Sequence, residues 1–269
     1  MSDKYCVIGN PIAHSKSPEI HPVYAAQTGQ DLVYERCLAP LDAFDATVHR
    51  LVAEGYRGAN VTLPFKIEAA RVCTRLEERA RAAGAVNTLV FANGEIVGDN
   101  TDGPGLVADI TRNAGVAIKD KRVLLLGAGG AARGALLPLI EQGPREIVIA
   151  NRTVATAAVL AQDFGRHGVP IDACGFAEIT GSFDIVINAT SSSIAGDLPP
   201  LPPTVFGPGA LALDMMYGNQ TTVFMDFAAG CGATVRDGLG MLVEQAAEAF
   251  AIWRGVRPET GDVMKKMRP

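Results

Sequence analysis

Hydrophobic and polar residues follow two rhythms along this chain, one with the short period of strands and one with the longer period of helices. Short apolar runs such as YCVIG and GANVTL, bounded by turn residues, predict buried strands. The stretch LDAFDATVHRLVAEG carries apolar residues at helical spacing and ends at glycine, which is typical of an amphipathic helix. Strand and helix alternate in this way, which predicts an α/β fold with mainly parallel sheets covered by helices.

The first series of elements occupies the N-terminal part of the chain. Asn93 and Gly94 predict a hairpin turn near its end. The predicted elements are the strand YCVIG, a helix starting at Ser17, the strand LVYERCLA, the helix LDAFDATVHRLVAEG, the strand GANVTL, the helical stretch PFKIEAARVCTRLEERARAAG and the hairpin NTLVFANGEIVGDN.

A second α/β series follows Asp102. Its predicted elements are a helix from Gly103 to about Gly115, the strand RVLLLG, the helix AARGALLPLIEQG, the strand EIVIAN, the helix TVATAAVLAQDFG, the strand FDIVINAT and the strand ALALDMMY. A chain of 269 residues exceeds the size that one core usually serves. We therefore predict a first domain at 1–102 and a second at 103–238, with the helical segment 239–269 packing back onto the first.

Composition and charge narrow the class of protein. Hydrophobic residues make up 48% and charged residues 20% of the chain, which indicates a globular protein throughout. The formal net charge of -5 argues against nucleic acid as a partner. The five cysteines are widely spaced and are interpreted as reduced packing residues. We expect neither a leader nor a membrane span, and therefore a cytoplasmic location.

A glycine-rich motif lies between the predicted strand RVLLLG and the helix that follows it. Gly127, Gly129 and Ala132 form the pattern G-x-G-x-x-A in the context that dinucleotide-binding folds require. The first glycine permits a tight turn, the second a close approach of a pyrophosphate, and the alanine close helix packing. The predicted cofactor contacts here are Gly127, Ala128, Gly129, Gly130 and Ala131. A plain strand-to-helix turn is the alternative.

The residues after the next strand bear on the choice of cofactor. NAD-binding folds carry an acidic residue there, whereas this chain has Asn151, Arg152 and Thr153. A guanidinium group suits a 2′-phosphate, and no carboxylate would repel it. The sequence therefore favours NADP over NAD, and an exposed, solvated arginine is the alternative.

Five further segments, HSKSP, NVTLPFK, GAVNT, GDNTDG and DGLGMLVEQAA, lie at predicted strand ends or loops. Together with GAGGAAR and NRT, they resemble the shikimate dehydrogenase family across nearly the whole chain. The resemblance implies a substrate domain, a Rossmann-type NADP-binding domain, and reversible NADPH-dependent reduction of 3-dehydroshikimate to shikimate. The residues alone indicate only a carbonyl reductase.

The resemblance implies that Lys66 and Asp102 form the catalytic acid-base pair. Reduction of a ketone needs a proton on oxygen as well as a hydride on carbon, and an ammonium group beside a carboxylate can donate it. The residues leave open which member of the pair holds the transferred proton. Taken alone, Lys66 would be interpreted as a surface residue and Asp102 as a helix cap before Gly103.

The family pattern also implies the substrate contacts. Ser15, Ser17 and Tyr217 correspond to hydroxyls that hold the substrate carboxylate, although Ser17 could instead cap the following helix. Ring hydroxyls are assigned to Thr62, Asn87 and Gln245, with Asp102 as a further contact.

Two more positions, Met215 and Gly238, are implied to line the nicotinamide.

The chain departs from the family pattern at two positions. These are Thr156, where relatives selective for NADP often carry a second basic residue, and Asp237, where many carry Asn. His14 and His21 have no ligand cluster around them and are not assigned to catalysis or metal.

Three questions remain open at this level. A quinate dehydrogenase is the nearest rival, although Ser17 and Arg152 argue against it. A non-catalytic NADP sensor would need only the glycine motif. The expected assembly is a monomer or a homodimer that acts on a small-molecule substrate.

Overall fold

The computed structural model describes residues 2–268 and divides the chain into two compact units. The first unit runs as far as Gly105 and also takes in Val243–Arg268, and the second unit covers Leu106–Leu242. The chain therefore leaves the first unit once and returns to it once. The domain limits at Asp102 and Gly238 that the sequence predicts lie near these two crossings.

Six strands form the sheet of the first unit: β1 (Asp3–Gly9), β2 (Leu32–Leu38), β3 (Tyr56–Val61), β4 (Arg75–Leu76), β5 (Thr88–Ala92) and β6 (Glu95–Asp99). Their order in the sheet is β2-β1-β3-β5-β6-β4. The pairs β1–β2, β1–β3 and β4–β6 are parallel, whereas β3–β5 and β5–β6 are antiparallel. The sheet is therefore mainly parallel, as predicted, and the predicted hairpin is part of its antiparallel portion.

The helices of the N-terminal part are α1 (Ser17–Thr28), α2 (Phe44–Ala53), α3 (Lys66–Val72), α4 (Glu78–Ala83) and α5 (Asp102–Ala108). Proline in the first turn favours the start of α1, and Gly29 ends it with φ of 64°, a conformation that glycine adopts without strain. Ile20 and Tyr24 are fully buried on its inner face. The last helix, α5, carries the chain into the second unit.

One predicted element is wrong. The stretch PFKIEAARVCTRLEERARAAG is not one helical segment, because the short strand β4 separates α3 from α4. Cys73 takes an extended backbone with ψ of 135°. Thr74 then exchanges hydrogen bonds with Ile96, which lies 22 residues away. Tertiary pairing with β6 overrides the local helical pattern.

Six strands also form the sheet of the second unit: β7 (Arg122–Leu126), β8 (Glu146–Ala150), β9 (Ile171–Cys174), β10 (Phe183–Asn188), β11 (Phe206–Asp214) and β12 (Thr234–Arg236). Their order is β12-β11-β10-β7-β8-β9 and all five pairings are parallel. This is the doubly wound order of dinucleotide-binding folds. Residues 123–126 of the central strand β7 are completely buried, as expected of a parallel strand covered on both faces.

The remaining helices are α6 (Gly130–Ile140), α7 (Val154–Phe164), α8 (Ser192–Ala195), α9 (Val223–Gly230), α10 (Leu239–Arg254) and α11 (Gly261–Met267). Most of α10 belongs to the first unit. There the Tyr24 hydroxyl donates to the Val243 carbonyl oxygen, and the Trp253 indole N–H donates to that of Leu89. None of the helices in residues 2–268 is long and apolar enough to cross a membrane.

Candidate active site

Lys66 lies at the first position of α3, directly after a turn that follows β3. The Phe65 N–H donates to the Thr62 carbonyl oxygen at 3.1 Å and closes this turn. The Phe65 ring is 1% exposed and stacks on Phe44 with 4.8 Å between ring centroids. A hydrophobic anchor therefore fixes the backbone before Lys66, while the lysine side chain stays 29% exposed.

Lys66 and Asp102 meet in the first unit. Lys66 Nζ donates to Asp102 Oδ2 at 2.6 Å, and Asn87 Nδ2 donates to Asp102 Oδ1 at 2.9 Å. Because α5 begins at Asp102, this residue does not precede the helix as a cap does. Its two carboxylate oxygens instead accept hydrogen bonds from two other predicted site residues.

Asn87 joins several of the predicted residues. It is 2% exposed and accepts hydrogen bonds from the Thr101 N–H at 2.8 Å and the Thr88 hydroxyl at 2.9 Å. Its amide group also donates to Gln245 Oε1 at 3.3 Å. Asn87, Gln245 and Asp102 are therefore brought together. The sequence reasoning missed the bonding role of Thr101, although it lies inside the segment GDNTDG.

Ser15 lies in the loop after β1, Ser17 is the first residue of α1, and Thr62 directly follows β3. Ser17 is 6% exposed and begins α1, whose preceding residue is Lys16, so Ser17 is not the helix cap. Ser15 Oγ accepts a weak hydrogen bond of 3.4 Å from the Ser17 N–H. The Ser15 carbonyl oxygen accepts from Arg36 Nη2 at 2.7 Å, which fixes this loop to β2.

The glycine turn of the second unit links β7 to α6. Gly127 has φ of +98°, and a Cβ there would lie 3.1 Å from Thr190 Cγ2. Glycine is therefore required by both conformation and space. By contrast, a Cβ at Gly129 or Gly130 would meet open space, and both residues, with Ala131, are exposed. The turn thus presents the free amides at the start of α6, a fit for a pyrophosphate.

The segment after β8 carries Asn151, Arg152 and Thr153. The Asn151 amide donates to the Thr153 carbonyl oxygen at 2.9 Å and closes a local turn. Thr153 precedes α7, and the Arg152 side chain is exposed beside it. An exposed guanidinium group and two neutral side chains fit a phosphorylated ribose better than a free 2′-hydroxyl.

Met215 and Gly238 lie next to each other in the second unit. A Cβ on Gly238 would come within 2.2 Å of the Met215 carbonyl oxygen, and the Gly238 N–H donates to the Met216 carbonyl oxygen at 2.9 Å. Tyr217 follows on the same segment and is 41% exposed. Partial burial raises the pKa of Tyr217, so its hydroxyl remains a hydrogen-bond donor at neutral pH.

The sequence reasoning also missed Asp214, at the end of β11. Its buried carboxylate accepts hydrogen bonds from the Ser193 hydroxyl at 2.6 Å, the Thr222 hydroxyl at 2.7 Å and the Met216 N–H at 3.0 Å. It thereby holds α8 and the start of α9 against the backbone next to Met215. An aspartate ending an apolar strand was the available signal. Within residues 2–268, no three His, Cys, Asp or Glu side chains are grouped as a metal site would require.

Comparison with known proteins covers both units. Three family models match: the shikimate dehydrogenase substrate binding domain at residues 7–89, shikimate / quinate 5-dehydrogenase at 109–195, and the shikimate 5′-dehydrogenase C-terminal domain at 238–268. A shikimate dehydrogenase (NADP(+)) from Janthinobacterium sp. (strain Marseille) is 60% identical over 267 residues, which are 99% of this chain and 97% of that relative.

Solved structures agree with these matches. An Ael1 enzyme from Pseudomonas putida has a TM-score of 0.95 at 48% identity, covering 100% of this chain and 99% of the other. A shikimate 5-dehydrogenase from Thermus thermophilus in complex with NADP(H) and shikimate has a TM-score of 0.86 at 31% identity, covering 98% and 97%. On its sequence matches and its fold, this chain belongs to the shikimate dehydrogenase family.

Proposed function

We propose that this protein catalyses the reversible, NADPH-dependent reduction of 3-dehydroshikimate to shikimate. The observation that carries the proposal is the 2.6 Å hydrogen bond between Lys66 and Asp102. The ammonium and carboxylate groups of this pair are both partly exposed to solvent. The relatives of this chain include a shikimate dehydrogenase (NADP(+)). A partly exposed charged pair of this kind can exchange a proton with a bound small molecule.

In the proposed reaction Lys66 handles the proton. A hydride that reaches the carbonyl carbon leaves negative charge on the oxygen, and that oxygen must be protonated. The Lys66 ammonium group has three N–H bonds, of which one is directed at Asp102, so another can be directed at the substrate oxygen. In the direction of alcohol oxidation, the neutral amine at Nζ accepts the hydroxyl proton.

Asp102 and Asn87 orient the pair. The Asp102 carboxylate stabilises the positive charge on Lys66 and fixes the direction of its Nζ atom. Asn87 in turn donates to the second carboxylate oxygen, so Asp102 does not rotate freely. Asp102 Oδ1 can accept a hydrogen bond from a substrate hydroxyl as well, because a carboxylate oxygen has more than one acceptor site.

The substrate contacts are proposed on the chemistry of the side chains. Hydroxyl donors suit a carboxylate, and we assign this role to Ser15, Ser17 and Tyr217. Amide and hydroxyl groups that both donate and accept suit a polyol ring, and we assign that role to Thr62, Asn87 and Gln245.

The cofactor contacts are proposed in the second unit. We assign the pyrophosphate to residues 127–131, the 2′-phosphate and adenine to Asn151, Arg152 and Thr153, and the nicotinamide to Met215 and Gly238. Bound NADPH would supply the hydride. The open space at Gly129 and Gly130 and the exposed Arg152 guanidinium group support the fit.

A direct assay tests the proposal. Purified protein is mixed with NADPH and 3-dehydroshikimate, and the loss of NADPH absorbance is recorded; the same measurement is repeated with 3-dehydroquinate and with NADH. We expect turnover with 3-dehydroshikimate and NADPH, and kcat/KM at least about tenfold lower for either replacement. Absence of turnover with 3-dehydroshikimate would refute the proposed function. Equal turnover of 3-dehydroquinate would assign a dual shikimate and quinate dehydrogenase instead.

Compartment and assembly complete the proposal. The five cysteines are free thiols, which fits a reducing compartment, and we propose the cytoplasm. We also propose a monomer or homodimer. Fractionation of cells and light scattering of the purified protein test these two points.

A further inference from the structure

A single arginine in the first unit joins β6, which ends three residues before Asp102, to α10, which carries Gln245. Arg79, in α4, donates from Nε to Asp99 Oδ1 at 2.7 Å and from Nη2 to Asp99 Oδ2 at 2.9 Å. Its remaining terminal nitrogen, Nη1, donates to Glu248 Oε1 at 3.1 Å. The side chains of Arg79, Asp99 and Glu248 are 26%, 8% and 25% exposed. The guanidinium group therefore bridges the end of β6 and the middle of α10.

The first branch of this bridge leads to Asp102. Asp99 Oδ1 also accepts the Asn100 N–H at 2.7 Å, and Asn100 Oδ1 accepts the Asp102 N–H at 3.1 Å. The Asn100 amide group donates to the Ala85 carbonyl oxygen at 3.1 Å, so it cannot turn freely. The backbone of Asp102 is thus held by a chain of hydrogen bonds that starts at Arg79.

The second branch leads to Gln245. Glu248 lies three residues after Gln245 on α10, on the same side of the helix. Gln245 Oε1 accepts from Asn87, the same residue that donates to Asp102. A shift of α10 would therefore move Gln245 away from Asn87.

The guanidinium group is well suited to this task. Burial alone would lower the pKa of Arg79, but the hydrogen bonds and charges of Asp99 and Glu248 raise it above its ordinary value. The group stays charged at any working pH. Its planar fork binds one carboxylate with two parallel bonds and still reaches another, which a lysine ammonium group cannot reproduce.

We propose that Arg79 is a positioning residue for the reaction, which sets Asp102 through Asp99 and Gln245 through Glu248. The inference rests on the proposed function, because Asp102 and Gln245 matter only if they contact the substrate. Displacement of a reacting group by about 1 Å can cost about a hundredfold in rate. Removal of Arg79 should therefore affect turnover and substrate affinity, beyond any effect on stability.

The test compares R79Q and R79K with a matched control, R254Q. Arg254 is also a part-buried arginine of the first unit, bound to Asp3 and Gln30. We expect R79Q to lower kcat and to raise KM for shikimate, each at least about tenfold, with KM for NADP unchanged. R79K should resemble R79Q. R254Q should shift the urea unfolding midpoint in the same direction and leave the three kinetic constants within about twofold.

The hydrogen bonds of the two branches can be weakened separately by substitution of Asp99 or Glu248. D99N weakens only the branch to Asp102 and should mainly lower kcat. E248Q leaves the branch to Asp102 in place and weakens the branch to Gln245 together with the ion pair between Glu248 and Arg257, so it should mainly raise KM for shikimate. These two variants keep the proposal testable if R79Q does not fold. Equal, small effects of both on kcat and KM would contradict the division of roles.

Hydrogen exchange supplies a readout that does not depend on the substrate. Amides in residues 99–105 should exchange faster in R79Q than in the parent and in R254Q, because the N–H groups of Asn100 and Asp102 lose their fixed acceptors. Unchanged exchange, or normal kcat and KM in a folded R79Q, would overturn the inference. A parent protein inactive on shikimate would instead refute the proposed function, while the exchange result would still decide whether Arg79 holds this loop.

Discussion

In the first unit Lys66, Asp102 and Asn87 hold one another by their side chains, whereas the glycine turn of the second unit is shaped by its backbone. Lys66 and Asp102 are separated by 36 residues and Asn87 and Gln245 by 158. The glycine turn, by contrast, needs only five consecutive residues and one neighbouring strand.

This difference bears on how each region tolerates substitution. Where side chains hold each other, removal of one takes a hydrogen-bond partner from the others, and chemistry that depends on a fixed direction is lost. Where the backbone presents its amides, a side chain such as Arg152 adds affinity without creating the site. We therefore expect losses in kcat from changes in the first region and losses in cofactor affinity from changes in the second.

The largest effect is expected for Lys66→Ala. Both ligands should still bind, but kcat should fall by about a hundredfold or more, because the proton donor is removed. Steady-state assays with shikimate and NADP measure kcat, and fluorescence titration with NADPH measures cofactor affinity.

Lys121→Ala provides the matched control for this variant. Lys121 also pairs with an aspartate, Asp184, but the pair lies in the second unit and is more exposed, at 42% and 39%. Its removal should leave kcat within about twofold of the parent value, since exposed ion pairs contribute little. Near-normal kcat in Lys66→Ala would refute the proton-donor role.

An intermediate effect is expected for Arg152→Ala. Loss of charge-assisted hydrogen bonds to the 2′-phosphate should raise KM for NADP by about tenfold to a hundredfold, with kcat little changed. KM for NAD should stay nearly constant, so the ratio of kcat/KM for NADP to kcat/KM for NAD should fall. Arg166→Ala, another exposed arginine of the second unit, is the control. The assignment of Arg152 would be wrong if both variants kept the parent's cofactor preference.

The smallest effect is expected for His21→Phe and concerns stability. His21 is completely buried and stacks on Tyr34 with 4.1 Å between ring centroids. Neither ring nitrogen has a hydrogen-bond partner among residues 2–268. Burial lowers the pKa of His21 from 6.5 to about 3. Between these values the unfolded chain binds the proton and the folded chain does not, so stability falls as pH falls below 6.5.

The slope of this loss is about 1.4 kcal/mol per pH unit, because one proton is involved. Replacement of His21 by Phe removes this pH dependence. Between pH 6.5 and pH 5 the unfolding free energy of the parent should therefore fall by about 2 kcal/mol more than that of the variant. Urea unfolding followed by Trp253, the one tryptophan of the chain, reports on this unit. Parallel pH curves for parent and variant would show that His21 charges in the folded state.

Much of the fold could be predicted because its signals are local. The apolar run of β7 and the glycine after it specify a buried strand and a tight turn within a few residues. The failure at β4 has the opposite cause. Residues around Thr74 lie in a stretch of helical pattern, and only the hydrogen bonds to Ile96 and the pairing with β6 make them a strand. Local propensity gives way where a distant partner is available.

By itself, the sequence determined the alternation of strands and helices, the glycine turn and the presence of Arg152 where NAD-binding folds carry an acidic residue. Those features depend on residues close together in the chain, so a pattern reveals them. Only the tertiary structure decided that Asp102 bonds to Lys66 and Asn87 instead of capping α5, and that Arg79 links β6 to α10. A polar side chain has several possible partners, and folding selects among them by bringing distant residues within hydrogen-bond distance.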